Sequence, residues 1–364
     1  MKLPLKITSE MIILITITIS PHRRQVIKSI VLSALRYSQN ASLPVKIKSI
    51  CKAYPNIRLV SFSTQMKRRN ITYRDMIEFC GTSDSCADYY ANSDKYIIYY
   101  NDIELTRIVN SNRYRWNIAH ELGHILLGHH KCSHKTRIYR CSLSDEEYNY
   151  LEAEADYFAQ LILVPHVVLY AFRIQNERQL KALCKISNPA ATRRFRAYKE
   201  WLKNINGDDP YDKPLFQYYY KYIFKKQCST CGAHIIQAKG MYCPICGNKT
   251  LQWGDGKMQY KIRYKLDENS RLHQCSVCEN ERISNDAVYC QICGTPVQNK
   301  CINCGRLADA DARYCIYCAS ETTFNARLLP NWEVESEEIT LKENADYVGN
   351  AFLNLPDDDG LPFN

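Results

Sequence analysis

The sequence predicts an α+β protein: a mainly helical amino-terminal domain with a small sheet, followed by three small modules of four cysteines each. Three observations carry this. Apolar residues recur at helical spacing in Arg23–Ser38 (Ile27, Ile30, Val31, Leu35) and around Trp116–Gly128. Ile57–Phe62 alternates with the period of a strand, and Lys95–Asn101, rich in Tyr and Ile, reads as a second strand. Of 18 cysteines, 12 fall in six C-x-x-C pairs after residue 227.

In chain order, Met11–Ile19 is the longest apolar run, nine residues against the roughly 20 a membrane helix needs. Ser9 and Glu10 interrupt its basic start and no small-residue cleavage site follows, so it reads as a β-rich entry segment rather than a signal peptide. The expectation is a cytoplasmic chain with no membrane partner. Residues 1–70 carry 13 Lys and Arg against one acidic residue. Because Arg23, Arg24, Lys28 and Arg36 intersperse with apolar positions, solvated helix faces are the preferred reading, and attraction to nucleic acid or an acidic partner the alternative. A helix over Arg23–Ser38 is followed by one over Pro44–Tyr54, with Leu43-Pro44 marking its start.

The chemistry concentrates in His120-Glu121-Leu122-Gly123-His124. On a helix, residues i and i+4 share a face, so His120 and His124 can hold one metal ion between them, with Glu121 beside them to take a proton from water. A catalytic zinc needs three protein ligands and one open position. Glu152-Ala153-Glu154-Ala155-Asp156 supplies the candidates. Glu152 is the natural third ligand, and Asp156, one turn on, then accepts a histidine ring N–H and fixes its tautomer. Glu154 is the weaker ligand candidate, about 200° around the helical wheel, and reads as solvated or capping. His129, His130, Cys132, His134 and Cys141 crowd the next segment; a polar loop is preferred there over a second metal site. The six remaining cysteines, Cys51, Cys80, Cys86, Cys132, Cys141 and Cys184, follow no ligand spacing.

The run Ile118–His129, then Glu152–Ala159 and Leu161-Ile162-Leu163-Val164-Pro165, resembles the ImmA/IrrE family of metallo-endopeptidases, over roughly residues 24–200. The resemblance implies a zincin-like fold, found in bacteria and their mobile elements, that cleaves a helix-turn-helix repressor and switches on genes after stress. Carried over by position, it makes His120, His124 and Glu152 the ligands of a catalytic zinc and Glu121 the catalytic base. Family members often have Asn where this chain has Asp156, and either side chain accepts the hydrogen bond. Zincins carry an edge strand beside the active helix for extended substrate, and Lys95–Asn101 is the best candidate. Tyr99, Tyr100, Tyr148 and Tyr157 are the tyrosines considered for the oxyanion.

Gln179–Cys184, Ile186–Ala191 and Arg193–Leu202 resemble a helix-turn-helix, with Ser187 as cap and Pro189 in the first turn; packing on the catalytic domain is preferred over DNA reading. The Gly-, Asp- and Pro-rich stretch Asn204–Pro214 reads as a linker, giving a catalytic domain over 1–205 and a linker over 206–226.

The cysteine pairs group as Cys228/Cys231 with Cys243/Cys246, Cys275/Cys278 with Cys290/Cys293, and Cys301/Cys304 with Cys315/Cys318. Each group is two knuckles joined by a short hairpin, a four-thiolate cage for one zinc, and disulfides are disfavoured. Ribbons are expected over 227–253, 274–297 and 300–322, with one structural zinc each. The segments Ala287–Gly294 and Ala312–Ala319 look like an internal repeat and resemble the double zinc ribbon family, with Glu279 and Ala319 where glycine is usual. Protein docking is the preferred role over nucleic-acid contact, because acidic residues dilute the basic ones in the later ribbons. Residues 323–364 form an acidic tail expected to be disordered. The combined expectation is a zinc endopeptidase acting on a regulatory protein; the alternative is a non-catalytic zinc-binding regulator or scaffold for nucleic acid or protein.

Overall fold

The computed structural model describes residues 18–103, 112–132, 143–206, 208–261, 264–325, 327–329, 336–338 and 362. Most of the entry segment, His134, Cys141 and most of the acidic tail lie outside the described residues. The chain divides into two compact units, Met1–Pro165 with Cys184–Tyr198, and His166–Leu183 with Lys199–Asn364.

In the first unit, α1 (Pro21–Ser38) starts at Ser20, whose hydroxyl accepts from the Arg23 N–H, with Pro21 in the first turn. Its buried residues Ile27, Val31, Ala34 and Leu35 form the stripe that the periodicity predicts. A second helix, α2 (Ile47–Ala53), begins three residues later than Pro44. After β1 (Ile57–Ser61) come α3 (Phe62–Arg69) and α4 (Tyr73–Cys80), the latter opened by a reciprocal Thr72–Asp75 capping box. Two strands follow, β2 (Ser85–Tyr90) and β3 (Lys95–Tyr100).

The sheet order is β1-β3-β2, with β3 parallel to β1 and antiparallel to β2. Lys95–Tyr100 is therefore the central strand, correcting its expected place at an edge. Alternation reports which face of a strand is buried, not how many neighbours it has, and both sides of β3 are hydrogen-bonded. The end strand beside the metal-site helix is β2.

That helix is α5 (Arg113–Leu126), followed by the short α6 (His129–Cys132). Against α5 lies α7 (Asp145–Leu163), opened by a Ser144–Glu147 capping box and three acidic residues in its first turn. Ile118, Ala119 and Leu122 of α5 and Ala155, Phe158, Ala159 and Ile162 of α7 are wholly buried. Gly123 sets how close the helices come: a Cβ there would meet the Ala155 Cα and the Phe158 ring at 3.2 Å.

Beyond α7 the chain forms α8 (His166–Ala171), α9 (Glu177–Cys184), α10 (Asn188–Lys203) and α11 (Asp212–Ile223). Ser187 receives the Ala190 N–H at the start of α10. Arg194 of α10 is buried in the first unit with its guanidinium over the Trp116 ring, 5.3 Å from its centre, a packing role rather than a free basic face. In the second unit Phe172 stands edge-on to Tyr222 of α11 and to Trp253. The stretch expected as a linker thus contains a helix, and its first residue, Asp212, is buried and accepts from the Trp201 indole N–H at 2.9 Å.

The rest of that unit carries a sheet of order β5-β4-β6, from β4 (Lys225–Cys228), β5 (His234–Ile236) and β6 (Leu251–Trp253), and a pair β7 (Met258–Tyr260) with β8 (Ser336–Glu338). Among the described residues no helix is long and apolar enough to cross a membrane.

Candidate metal centre

His120 and His124 lie one turn apart on α5 and present the same nitrogen, Nε2, to a common point, 3.1 Å from each other. Across the helix pair, Glu152 of α7 brings its two carboxylate oxygens to 3.2 Å from His120 Nε2 and 3.4 Å from His124 Nε2. A tetrahedral zinc with ligand bonds of roughly 2.0–2.1 Å separates its ligand atoms by about 3.3 Å. The three donors already stand at that spacing, and two imidazoles with one carboxylate are a zinc donor set that leaves a fourth position open.

The rings are held from behind. Presenting Nε2 to a metal requires the proton on Nδ1, and that proton needs an acceptor. For His120 the acceptor is Asp156, at 3.0 Å. For His124 it is the Nδ1 of His129, at 2.9 Å; His129 in turn donates from Nε2 to Glu154 at 3.0 Å. Arg23 of α1 then grips both oxygens of Glu154, at 2.6 and 2.7 Å. Glu154 is only 1% exposed, so the solvated or capping role read for it is corrected: it is a buried carboxylate neutralised by a bidentate guanidinium. Arg23 is likewise no solvated helix charge, and His129 belongs to this chain of contacts rather than to a polar loop.

These contacts set the electrostatics. Burial alone would push the His120 imidazole down, but the carboxylates of Asp156 and Glu152 raise it to about 10. Burial dominates at His124 and lowers it to about 4. At Glu152 and Glu154 burial works against ionisation and is outweighed by hydrogen bonds: from the two histidines at Glu152, which ends far below the usual carboxylate range, and from Arg23 and His129 at Glu154, which falls to about 2. Both carboxylates are ionised at neutral pH.

A cleft of about 540 Å3 opens over the three donors. Glu121 lines it and receives a 2.8 Å hydrogen bond from the Ser85 hydroxyl at the start of β2. Ser85 carried no signal in the sequence, because it meets Glu121 only through the strand order. Of the four tyrosines considered for the oxyanion, Tyr148 lines the cleft. Tyr99 is buried under the sheet among Phe62, Met76 and Cys86, Tyr100 accepts from Lys48, and Tyr157 lies beneath Arg24.

The twelve paired cysteines form three separate clusters, each with all four sulfurs within 4.8 Å of one another. Sulfur separations across the knuckles are 3.6 and 3.8 Å in the first, 3.5 and 3.5 Å in the second, and 3.4 and 3.7 Å in the third. A tetrahedron of roughly 2.3 Å zinc–sulfur bonds has edges of about 3.8 Å, so these cages fit zinc and leave no position for water. The residue after each knuckle donates its N–H to the carbonyl of the knuckle's first cysteine and takes a left-handed conformation, at Glu279 (φ 56°) and Ala319 (φ 62°) as at the four glycines. The two departures from glycine therefore leave the turn unchanged, at some conformational cost.

Residues 81–200 match the family described as IrrE N-terminal-like domain, and residues 275–319 match the double zinc ribbon. The chain thus carries an IrrE-like peptidase-family domain and a double zinc ribbon. The ribbon match spans the second and third cysteine clusters and leaves the first, Cys228–Cys246, as an additional zinc-binding cluster. No curated protein matches the chain.

Proposed function

We propose that this chain is a zinc-dependent endopeptidase that cuts a regulatory protein, by family resemblance a helix-turn-helix repressor. The observation that carries the reading is the convergence of two Nε2 atoms and the Glu152 carboxylate at zinc spacing, with Glu121 lining the same open cleft. Zinc held by His120, His124 and Glu152 supplies Lewis acidity, lowering the pKa of water and polarising the scissile carbonyl.

The remaining work falls to the protein's own side chains. Glu121 takes the proton of the attacking water and delivers it to the leaving amine. Ser85 donates to Glu121 Oε1 and so helps to orient the carboxylate over the cleft. The end strand β2, whose Ser85, Cys86 and Ala87 line the cleft, offers backbone N–H and C=O groups to an extended substrate segment. Tyr148 stands on the same cleft and is the candidate to donate to the developing oxyanion. The ribbons serve as docking modules for protein, and a reducing cytoplasm suits a chain whose twelve ribbon thiols must stay available to metal.

The test is cleavage of the repressor encoded nearest to the gene for this chain by full-length protein, with and without chelator. Glu121→Gln should retain the metal and lose ~10²–10⁴-fold in rate, because the amide cannot accept the proton. Unchanged cleavage by Glu121→Gln removes Glu121 as the base and overturns the mechanism.

A further inference from the structure

We infer that Cys80 and Cys86 form a reversible disulfide across the rim of the metal cleft. Their sulfurs stand 2.7 Å apart. The same molecule provides the contrast: the paired thiols across the knuckles of the three metal clusters lie 3.4–3.8 Å apart. A pair at 2.7 Å is too close to be edges of a zinc tetrahedron and about 0.7 Å from a covalent S–S bond.

The backbone holds the pair in place. Cys80 is the last residue of α4 and Cys86 the second of β2. Between them the chain reverses at Gly81, which is left-handed (φ 71°) and donates its N–H to Ile77 O at 2.7 Å. Asn101 fastens the rest of the turn, its amide group donating to Ser83 O and its backbone N–H to Asp84 O. Both thiols are nearly buried yet line the cleft, which gives a small oxidant a route to them. Cys51 and Cys184 do not line the cleft, and burial pushes each up to about 12, which keeps them protonated and unreactive.

The oxidant is a peroxide. One thiol, as thiolate, attacks the O–O bond of hydrogen peroxide, becomes a sulfenic acid and releases water. The second thiol attacks that sulfur, the S–O bond breaks, the S–S bond forms and a second water leaves. Two thiols and one peroxide thus give one disulfide and two waters, and a dithiol reverses the step by exchange. Cys86 adjoins Ser85, whose hydroxyl holds Glu121, so the oxidation state of the pair sets how rigidly that carboxylate is held. The bridge rests on thiol geometry and not on the peptidase reading.

The experiment treats zinc-loaded full-length protein with dilute hydrogen peroxide, alkylates in denaturant and maps peptides by mass spectrometry. The expected result is a peptide spanning both cysteines that is two hydrogens lighter and unalkylated, restored to double alkylation by dithiothreitol. Cys86→Ser should instead leave Cys80 as a sulfenic acid that dimedone traps, whereas the wild type gives no such adduct. A wild-type peptide that stays doubly alkylated while cysteines elsewhere oxidise, or a wild-type Cys80 that dimedone traps as readily as the variant, overturns the proposal.

Discussion

The His120–His124–Glu152 centre takes its ligands from two long helices packed face to face, whereas each four-cysteine cluster takes its ligands from two tight turns within about 20 residues of chain. In the first, the donors sit on an apolar core to which none of them belongs: Ile118, Ala119 and Leu122 against Ala155, Phe158 and Ala159. Their orientation is fixed by Asp156 and by the His129–Glu154–Arg23 chain. In the second cluster the apolar core is Val297 packed among the cysteines, with Ile283 and Ala287 partly buried against them. One site is a donor set on a helix pair with a fourth position left open; the others are closed four-thiolate cages, the first packed against Ile245, Leu251, Leu272 and Phe324 and the second with little apolar core of its own. That difference is the physical basis for assigning reactivity to one and structure to the rest.

The sharpest way to break the comparison is to remove metal. A strong chelator should abolish amide hydrogen-exchange protection around Cys275–Cys293 and Cys301–Cys318, while α5 and α7 stay protected; equal loss in both regions would show that the helical centre also depends on its ion. Next in size, His129→Ala leaves the His124 Nδ1–H and the Glu154 carboxylate without their shared partner. Affinity at the helical centre should fall ~10–100-fold with the cysteine clusters unaffected, as read by chelator competition. A change below twofold would reduce His129 to packing.

Gly123→Ala should cost about 1–3 kcal/mol in thermal or denaturant unfolding of the first unit, since its Cβ meets Ala155 backbone at 3.2 Å. A neutral result would show that α5 and α7 can move apart freely. The smallest effect belongs to the ribbons. Ala319→Gly and Glu279→Gly relieve left-handed strain of about 1 kcal/mol each and lose part of that to backbone entropy, so each should raise ribbon stability by a few tenths of a kcal/mol. A loss of stability in either would contradict the strain argument.

What could be read in advance was local in sequence. The i, i+4 spacing puts His120 with His124 and Glu152 with Asp156 on helix faces, and the C-x-x-C intervals group the cysteines as the structure does. The partners that hold these groups were not local. Arg23 and Glu154 are 131 residues apart, so no window of periodicity joins them, and with Glu152 facing α5 the wheel of α7 turns Glu154 away from the metal site, toward Arg23 of α1. Ser85 and the end position of β2 follow from strand order, which alternation does not encode. Phe216 to Phe224 shows the same limit: its aromatics were visible, but that they pack with Phe172 depends on where α8 returns.

The claim that one site is open and three are closed is tested most directly by counting zinc in purified full-length protein and in Glu152→Ala. The account predicts four ions per wild-type chain, one for each donor group, and three in the variant, with the missing ion being the one a mild chelator removes first from the wild type. Three ions in the wild type, or four retained tightly in Glu152→Ala, would contradict it.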